Sequence, residues 1–600
     1  MNVVAKRIAK LQKLMRERRI DIYLVPTSDY HESEYVGEHF ACREYITGFT
    51  GSAGTALIGR DWARLWTDGR YFVQAEAELA GSGVKLMKMG EPGVPTVEEF
   101  LEQNMPSPGI LGFDGRVLNT RMGEDLQRRL EKKNASFAYT ESLIGHIWED
   151  RPPLPQGQVW VLEEKYAGQP AEEKIAQLRE EMKTYNATVH ILTTLDDIAW
   201  LFNIRGGDIP CNPVPLSYMA ITMEEIFLFI HLKGLSREVK AYLKGLGVTL
   251  CPYQEIYTYV QELCQERIWM EKAKANYAIF RYMEDNNRII DRMNPTSMKK
   301  AVKNPVEIEN MKAAHIRDGV AMAKFIYWVK HNVGKVPLTE WEAAGYLDGL
   351  RKSQGALEPS FTTISAYGAN GAMCHYHGTK ENCAGLEPKG LYLVDSGGQY
   401  LEGTTDVTRT IALGPVTDQE KEHYTLVLMA MLRLGQVKFK AGCSGLSLDY
   451  VARELFWQRG LNYNHGTGHG VGYLLNVHER PVGIRFQTVP ERQDGEPFVP
   501  GMVCSNEPGI YIEGSHGVRT ENLMFCKMAE KTEYGQFLKF EYLTYVPIDQ
   551  GPIDLALMEE RDIACLNRYH QQVYEKISPY LDEDEAKWLW EATRPLKKGQ

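Results

Sequence analysis

The chain has no apolar run long enough to span a bilayer, no CxxC pair among its ten cysteines, and no low-complexity segment. The first absence excludes a helical membrane anchor. The second removes a zinc knuckle and a disulfide scaffold together, leaving reduced thiols in a cytoplasmic protein as the expectation. Positive charge is also short. With 68 Lys and Arg against 79 Asp and Glu, a net charge of −11 argues against general affinity for nucleic acid or anionic membranes. The opening "MNVVAKRIAKLQKLMRERRIDIYLV" is interrupted by charges throughout, so no secretion signal is expected there.

What is present is ordinary in composition and too long for one core. At 600 residues, two to four domains is the expectation. Val4, Ile8, Leu11 and Met15 fall at helical spacing and precede a strand over 20–25. Strands over 55–58 and 63–67 alternate with helical stretches, as in an α/β domain. "EDRPPLPQGQ" at 149–158 breaks both periodicities and marks a first boundary. A second αβ block follows, with a charged helix over 171–185 and the strand "ATVHILTT". Its "WLFNIRGGDIP" and "YMAITMEEIFLFI" loosely echo "YITGFTGSAGTALIG" and "RLWTDGRYF" of the first, hinting at duplication. "MNPTSMKKAVKNP" marks a second boundary, after which a long helix runs from Pro305 to the Lys and His at 330–331. Domains over 1–155, 156–304 and 305–600 are thus expected, the last fifty residues being helical.

The third block carries the chemistry. "VDSGGQYLEGTTDVTRT" puts Asp395 and Asp406 into strand-like sequence, where bare carboxylates are costly unless something positive meets them. "HGTGHGVGYLLNVHE" adds His465, His469 and His478. The glycines between them make a helix improbable, so this is not an HExxH zinc helix. "CSNEPGIYIEGSHGVRTENL" adds Glu507 and Glu521, with strands over 503–507 and 510–512 broken at Pro508–Gly509 and a further strand over 518–523. If Ile512 pairs with Val518 across a five-residue loop, Tyr511 faces Arg519, and Arg519 and Glu521 share a face by period two. Four carboxylates and one imidazole balance two divalent cations, which would lower the pKa of a water and polarise a carbonyl. Oxygen-rich ligation with one histidine suits Mn2+.

In order and context, Asp395, Asp406, His469, Glu507 and Glu521 resemble the five metal ligands of the pita-bread metallopeptidases. Within that superfamily "LVDSGGQYLEGTTDVTRT", "GTGHGVGYLLNVHE" and "NEPGIYIEGSHGVRTEN" resemble long-form Xaa-Pro aminopeptidases. So do "HESEYVGEHFACREYITGFTGSAGTALIG" and "LWTDGRYFVQA" near the amino terminus, "DDIAWLFNIRGGDIPCNPV" in the middle, and "YLTYVPID". The resemblance spans almost the whole chain. It implies an α/β (α+β) fold: two related creatinase-type amino-terminal domains, then a pita-bread catalytic domain. It implies removal of the first residue from peptides with proline second, by a metal-bridging hydroxide, in a homodimer. Asp406 and Glu521 would bridge two metals, Asp395 completing one and His469 with Glu507 the other. Glu507 would also shuttle a proton. His375 in "GAMCHYH" and His478 match the family's two non-ligand catalytic histidines. Phe361 falls where an aromatic lines the proline pocket, and Arg519 and Tyr511 where the bridging carboxylate is supported.

Each feature has a plainer reading. Asp395 alone would be a turn or cap residue, His375 and His478 satisfied core histidines, and Phe361 plain core. His465 is either a group orienting His469 or a core residue. Arg70 in "TDGRYF" reads as a strand-end charge, with a reach into the active-site cleft left open. Cys374 beside His375 does not make a cysteine protease, because strand neighbours point oppositely. Two departures stand out: Arg480 where the family has glycine, and His377 close to His375. The rivals are a prolidase-type dipeptidase, for which the middle block is surplus, and a non-catalytic pita-bread module binding peptides or histones, for which the five ligands are surplus.

Overall fold

The structure is a computed structural model that describes residues 2–489 and 492–598. It divides into two compact units, one comprising residues up to Leu162 with Pro170–Thr296, the other Glu163–Gln169 with Ser297 onward.

The first unit opens with the helix Val3–Glu17, whose buried face is Val4, Ile8, Leu11 and Met15. Its end explains why the following strand is Ile22–Pro26 and starts later than the apolar pattern. Arg19 turns left-handed at φ 61°, its N–H reaches Arg16 O at 3.2 Å, and the Ile20 N–H reaches Met15 O at 2.8 Å. That is a Schellman closure, and it keeps Ile20 with the helix.

The unit contains two six-stranded sheets with one topology. The first runs Val84–Lys88, Ala63–Thr67, Thr55–Gly59, Ile22–Pro26, Ile110–Gly112, Ser136–Ala138. The second runs Val248–Pro252, Ile226–Ile230, Ser217–Thr222, Val189–Leu192, Arg267–Met270, Arg288–Asp291. Both are antiparallel at the two central hairpin pairings and parallel elsewhere. The helices leaving the fifth strands, Thr120–Leu130 and Tyr277–Met283, are each capped by an asparagine side chain, Asn119 and Asn276. Their backbones meet about a local pseudo-twofold. Thr120 N–H donates to Ala275 O at 2.8 Å and Tyr277 N–H to Leu118 O at 2.7 Å; Arg121 N–H donates to Lys272 O at 3.1 Å and Ala278 N–H to Gly115 O at 2.9 Å. The weak sequence echo therefore corresponds to two copies of one fold.

The second unit begins its main run with the helix Pro305–Asn332, set by a capping box between Asn304 and Glu307 with proline in the first turn. The antiparallel ladder Ile364–Tyr367, Leu391–Ser396, Val407–Ala412 lies in one sheet. A second runs Lys438–Lys440, Gly535–Tyr542, Asn522–Thr532, Val503–Asn506, Gly468–Gly470, Glu479–Ile484. Helix Asp418–Gly435, buried continuously from His423 to Leu432, fills the core with the helix Glu560–Ile577, which precedes the last helix Glu583–Ala592.

Two local expectations fail. The hairpin pairs Ile512 with His516 and Ile510 with Val518, because Ile512–Ser515 closes a tight turn and Gly514 supplies its positive φ of 70°. The slip is by two residues, so faces are preserved. The strand expected over 518–523 is split into His516–Arg519 and the start of Asn522–Thr532. The Thr410 hydroxyl intervenes there, donating to Arg519 O at 2.9 Å and accepting from its N–H at 3.1 Å.

Candidate metal centre

Five polar side chains converge in the second unit from separate segments. Asp395 lies in Leu391–Ser396, opposite Thr408, and Asp406 immediately precedes Val407–Ala412. His469 is the middle residue of Gly468–Gly470. Neighbouring chains come so near that a side chain at Gly468 or Gly470 would fall 2.1 Å from the carbonyl of Ser505 or Glu479. Glu507 follows Val503–Asn506, where Pro508 ends the ladder, and its N–H holds Thr467 O at 2.8 Å. Glu521 sits in the crossing segment, its N–H on Thr408 O at 3.1 Å.

Asp406, His469 and Glu521 each bring one ligand atom within 4.8 Å of the others. His469 Nε2 stands 3.4 Å from Asp406 Oδ2 and 3.3 Å from Glu507 Oε1. Its Nδ1 lies 2.9 Å from Gly470 O, so that nitrogen carries a proton and Nε2 is the nitrogen that faces the carboxylates. Asp395 enters through Arg519, whose Nη2 is 2.5 Å from Asp395 Oδ2.

Electrostatics test whether a cation belongs here. Burial, with the charges of Asp406, Glu507 and Asp395, pushes the Glu521 carboxyl well above the carboxylate range. Burial pushes Asp395 up to about 6, against the pull of Arg519. His469 is disfavoured as a cation by burial, yet the Asp406 hydrogen bond and the Glu507 charge lift it to about 9. The same His469 charge overcomes burial to hold Glu507 below its ordinary value. So many carboxylates cannot all be ionised together without added positive charge. Moreover, Asp395 Oδ1 and Glu521 Oε1 are buried without a hydrogen-bond partner, which native proteins rarely tolerate. The donor set fits divalent cations.

A hydrogen-bonded chain backs the site. Arg519 donates from Nη1 to Tyr511 Oη at 2.6 Å, and from Nε to Thr408 Oγ1 at 3.2 Å. Tyr511 in turn donates to His465 Nε2 at 2.8 Å, because His465 Nδ1 is committed to Gly466 O at 2.8 Å. Burial pushes His465 down to about 4, so it stays neutral and keeps this direction of bonding. His465 thus reaches the site through Tyr511 and not through His469.

His478 stands beside His469, ring centroids 4.2 Å apart at 82°. His375 is half-buried, and the carbonyl of its neighbour Cys374 lies 3.5 Å from Arg519 Nη2. Phe361 is buried next to Ser360, whose hydroxyl donates to Thr405 O at 2.8 Å, one residue before Asp406. Arg480 is engaged by Gln493 at 2.5 Å and Ser297 at 3.4 Å. His377 is exposed, and Arg70 belongs to the other unit, where it forms a two-pronged pair with Asp68 at 2.8 Å. Thr408 was not singled out from sequence. Its hydroxyl donates to Glu521 Oε2 at 2.8 Å; its signal was the period-two offset from Asp406.

Residues 309–527 match the model of metallopeptidase family M24 and 536–596 that of the C-terminal region of peptidase M24. Residues 7–147 and 150–307 each match a creatinase/prolidase N-terminal domain. The chain therefore belongs to the M24 metallopeptidases, in the group that carries two creatinase-type domains before the pita-bread domain. It is 40% identical over 612 residues to a probable Xaa-Pro aminopeptidase P of Talaromyces marneffei, covering 99% of this chain and 92% of that one. To aminopeptidase P2 of Arabidopsis thaliana it is 38% identical, with 99% and 89% covered. Among solved structures, X-prolyl aminopeptidase of Caenorhabditis elegans superposes with a TM-score of 0.94 at 33% identity, covering 99% and 100%; that protein is described as a cytosolic enzyme with a di-nuclear active site.

Proposed function

We propose that this protein is a cytoplasmic Xaa-Pro aminopeptidase, using two divalent metal ions to release the first residue of peptides with proline second. The observation that carries the reading is the convergence of Asp395, Asp406, His469, Glu507 and Glu521 around two buried, unclaimed carboxylate oxygens, in a chain whose relatives carry that activity by name. Those five residues would hold the ions, Asp406 and Glu521 shared between them, and Mn2+ is the best match to an oxygen-rich set with one imidazole. When bound, the ions supply positive charge to a substrate carbonyl and lower the pKa of water.

The chain's own groups do the rest. Arg519 holds Asp395 ionised and oriented, and Tyr511 holds Arg519. Glu507 takes a proton from water and returns one to the leaving nitrogen. His478 and His375 donate toward the scissile carbonyl, and with Phe361 they wall a pocket for the proline ring. An acyclic second residue would bring an N–H into that pocket, and an unpaired buried donor costs about 1–3 kcal/mol.

The domain division at about 155 and 304 belongs to this reading, as does a homodimer. Tyr450, Trp457 and Phe486 form an exposed aromatic strip, with ring contacts at 5.9 and 5.7 Å, which supports self-association. Sedimentation as a monomer at micromolar concentration would refute the dimer. Among the described residues no helix is long and apolar enough to cross a membrane.

The decisive assay compares Xaa-Pro-Yaa, Xaa-Pro and Xaa-Ala-Yaa peptides with Mn2+-loaded protein. Xaa-Ala-Yaa should be cut about 5- to 150-fold more slowly, the rate equivalent of the orphan-donor cost, and a chelator should abolish activity that Mn2+ restores better than zinc. The second reading, a dipeptidase, turns on Arg480, which stands where the family has glycine. A preference for Xaa-Pro that disappears in Arg480→Gly would establish it.

A further inference from the structure

Outside the proposed ligand set, Glu340 is a buried carboxylate of the second unit with both oxygens fully engaged. It occupies the first position of the helix Glu340–Ser353 and is wholly buried. Oε1 accepts the Tyr367 N–H at 2.6 Å and Asn370 Nδ2 at 3.0 Å. Oε2 accepts the Tyr376 hydroxyl at 2.8 Å and the Ala384 N–H at 2.7 Å. The Glu340 backbone adds two contacts, its N–H to Ala384 O at 3.0 Å and its carbonyl from Ser365 Oγ at 2.7 Å.

These donors are distributed in a telling way. Tyr367 ends the strand Ile364–Tyr367, Asn370 lies in the turn Gly368–Ala372, Tyr376 adjoins His375, and Ala384 lies on the return toward Leu391. One carboxylate therefore holds the start, middle and end of the segment that presents His375. Within the segment, turn bonds run from Met373 N–H to Asn370 O at 3.0 Å and Tyr376 N–H to Met373 O at 3.1 Å, and Tyr376 packs against the small apolar cluster of Ile364, Ala366 and Leu393.

Helix capping does not explain Glu340. That task is already done by Thr339 and Glu342, whose reciprocal capping box spans 3.2 and 3.0 Å. Nor is Glu340 one half of an ion pair: the described bonds to its carboxylate all come from neutral donors. A buried carboxylate met by several neutral donors is favourable only while all of them point at it. The loop thereby gains one conformation. On its other side the loop meets the site, through Cys374 O beside Arg519 and through Gly371 against Gly517.

We infer that Glu340 is a positioning residue for His375, setting the loop that carries it against the metal centre. The inference rests on the catalytic reading of His375 given above. Glu340→Gln replaces one acceptor oxygen by a donor, so it cannot receive all the bonds of the native acid. Misplacement by about 1 Å costs on the order of 10²-fold in rate, and partial loosening of the loop should lower kcat by about 10- to 100-fold. KM should change less than about threefold, and metal content should stay at the wild-type value.

The test is a double-mutant cycle with His375→Ala, read as kcat, KM and bound manganese per chain. On the His375→Ala background, Glu340→Gln should change kcat by less than about twofold, since coupled groups are not additive. Wild-type kcat in Glu340→Gln, or losses that multiply across the cycle, overturns the inference. If Glu340→Gln does not fold, Tyr376→Phe removes a single donor from Oε2 and should show a smaller, equally non-additive loss. A fully active His375→Ala would instead refute the reading of His375 itself, whatever Glu340→Gln does.

Discussion

Removing Arg519 is the most informative perturbation of the site, because its cost can be worked from the contacts it makes. Arg519 is buried, and its guanidinium spends one nitrogen on Asp395, one on Tyr511 and one on Thr408. Arg519→Met leaves Asp395 a buried charge whose remaining neighbours include the carboxylates of Asp406 and Glu507. Breaking one side of a buried, hydrogen-bonded pair costs about 3–5 kcal/mol. At about 1.4 kcal/mol per decade, that corresponds to roughly 10²- to 10³-fold or somewhat more. The loss should appear first in manganese affinity, measured by titration calorimetry at fixed pH, because Asp395 is proposed to be held as a ligand by this arginine. Arg519→Lys keeps the charge but not the fork. It should forfeit the Tyr511 and Thr408 bonds, about 1 kcal/mol each, and fall between wild type and Arg519→Met. Wild-type affinity for both ions in Arg519→Met, with turnover within threefold, would refute the argument that Asp395 depends on Arg519.

Three further outcomes are expected. His478→Ala should lower kcat by about 10²–10³-fold, the usual cost of one donor at a developing oxyanion, with bound metal unchanged; loss of metal would place His478 among the ligands. Gly517→Ala puts a Cβ 1.7 Å from Gly371 O, a backbone atom that cannot turn aside. Stability should fall by about 1–3 kcal/mol and kcat with it, whereas an unchanged thermal midpoint and rate would mean that the hairpin and the His375 loop do not meet this way. His570 is pushed down to about 3 by burial and by the Arg409 charge, and its Nε2 accepts the Ile548 N–H at 3.1 Å. Its folded pKa lies below its unfolded one, so its contribution is complete above about pH 6.5 and is lost as pH falls, by about 2–3 kcal/mol at pH 4.5. The thermal midpoint of His570→Gln should therefore depend less on pH between 6.5 and 4.5 than that of wild type; parallel profiles would exclude the effect.

Much of the site was legible because its residues sit in local patterns. Asp395 and Asp406 stand as carboxylates in strand-like sequence, and Glu507 is marked by the proline that ends its strand. The hairpin was read with the wrong loop length, since nothing in "EGSHG" says which residues belong to the turn. Its parity survived, and so Tyr511 and Arg519 still meet, diagonally. The break between Arg519 and Asn522 was not legible, because it depends on the Thr410 hydroxyl from a segment far away in sequence. Glu340 was hidden for another reason. In "PLTEWEA" an acid after threonine looks like a helix start, and its true partners arrive only with the tertiary fold.

The buried carboxylates also show how a cation site differs from a structural one at the same depth. Asp318 has both oxygens claimed, Oδ1 by Arg351 and Tyr400 and Oδ2 by Arg351. Glu340 likewise has both claimed. Asp395 and Glu521 are each anchored by one oxygen only, to Arg519 and Thr408, and the second oxygen of each is buried and unclaimed. An unclaimed oxygen is not sufficient by itself. Asp29 in the first unit has one too, but it belongs to no cluster of three ligand residues among the described residues. What sets Asp395 and Glu521 apart is that both carry an unclaimed oxygen in one mutually repelling group with Asp406 and Glu507. Hydrogen bonds orient one side of each carboxylate before any ion arrives, so binding need not order the side chains. Charge repulsion among the other sides is relieved only by added positive charge. A purely structural role would have met those oxygens with arginine or backbone N–H groups, as it does at Asp318 and Glu340.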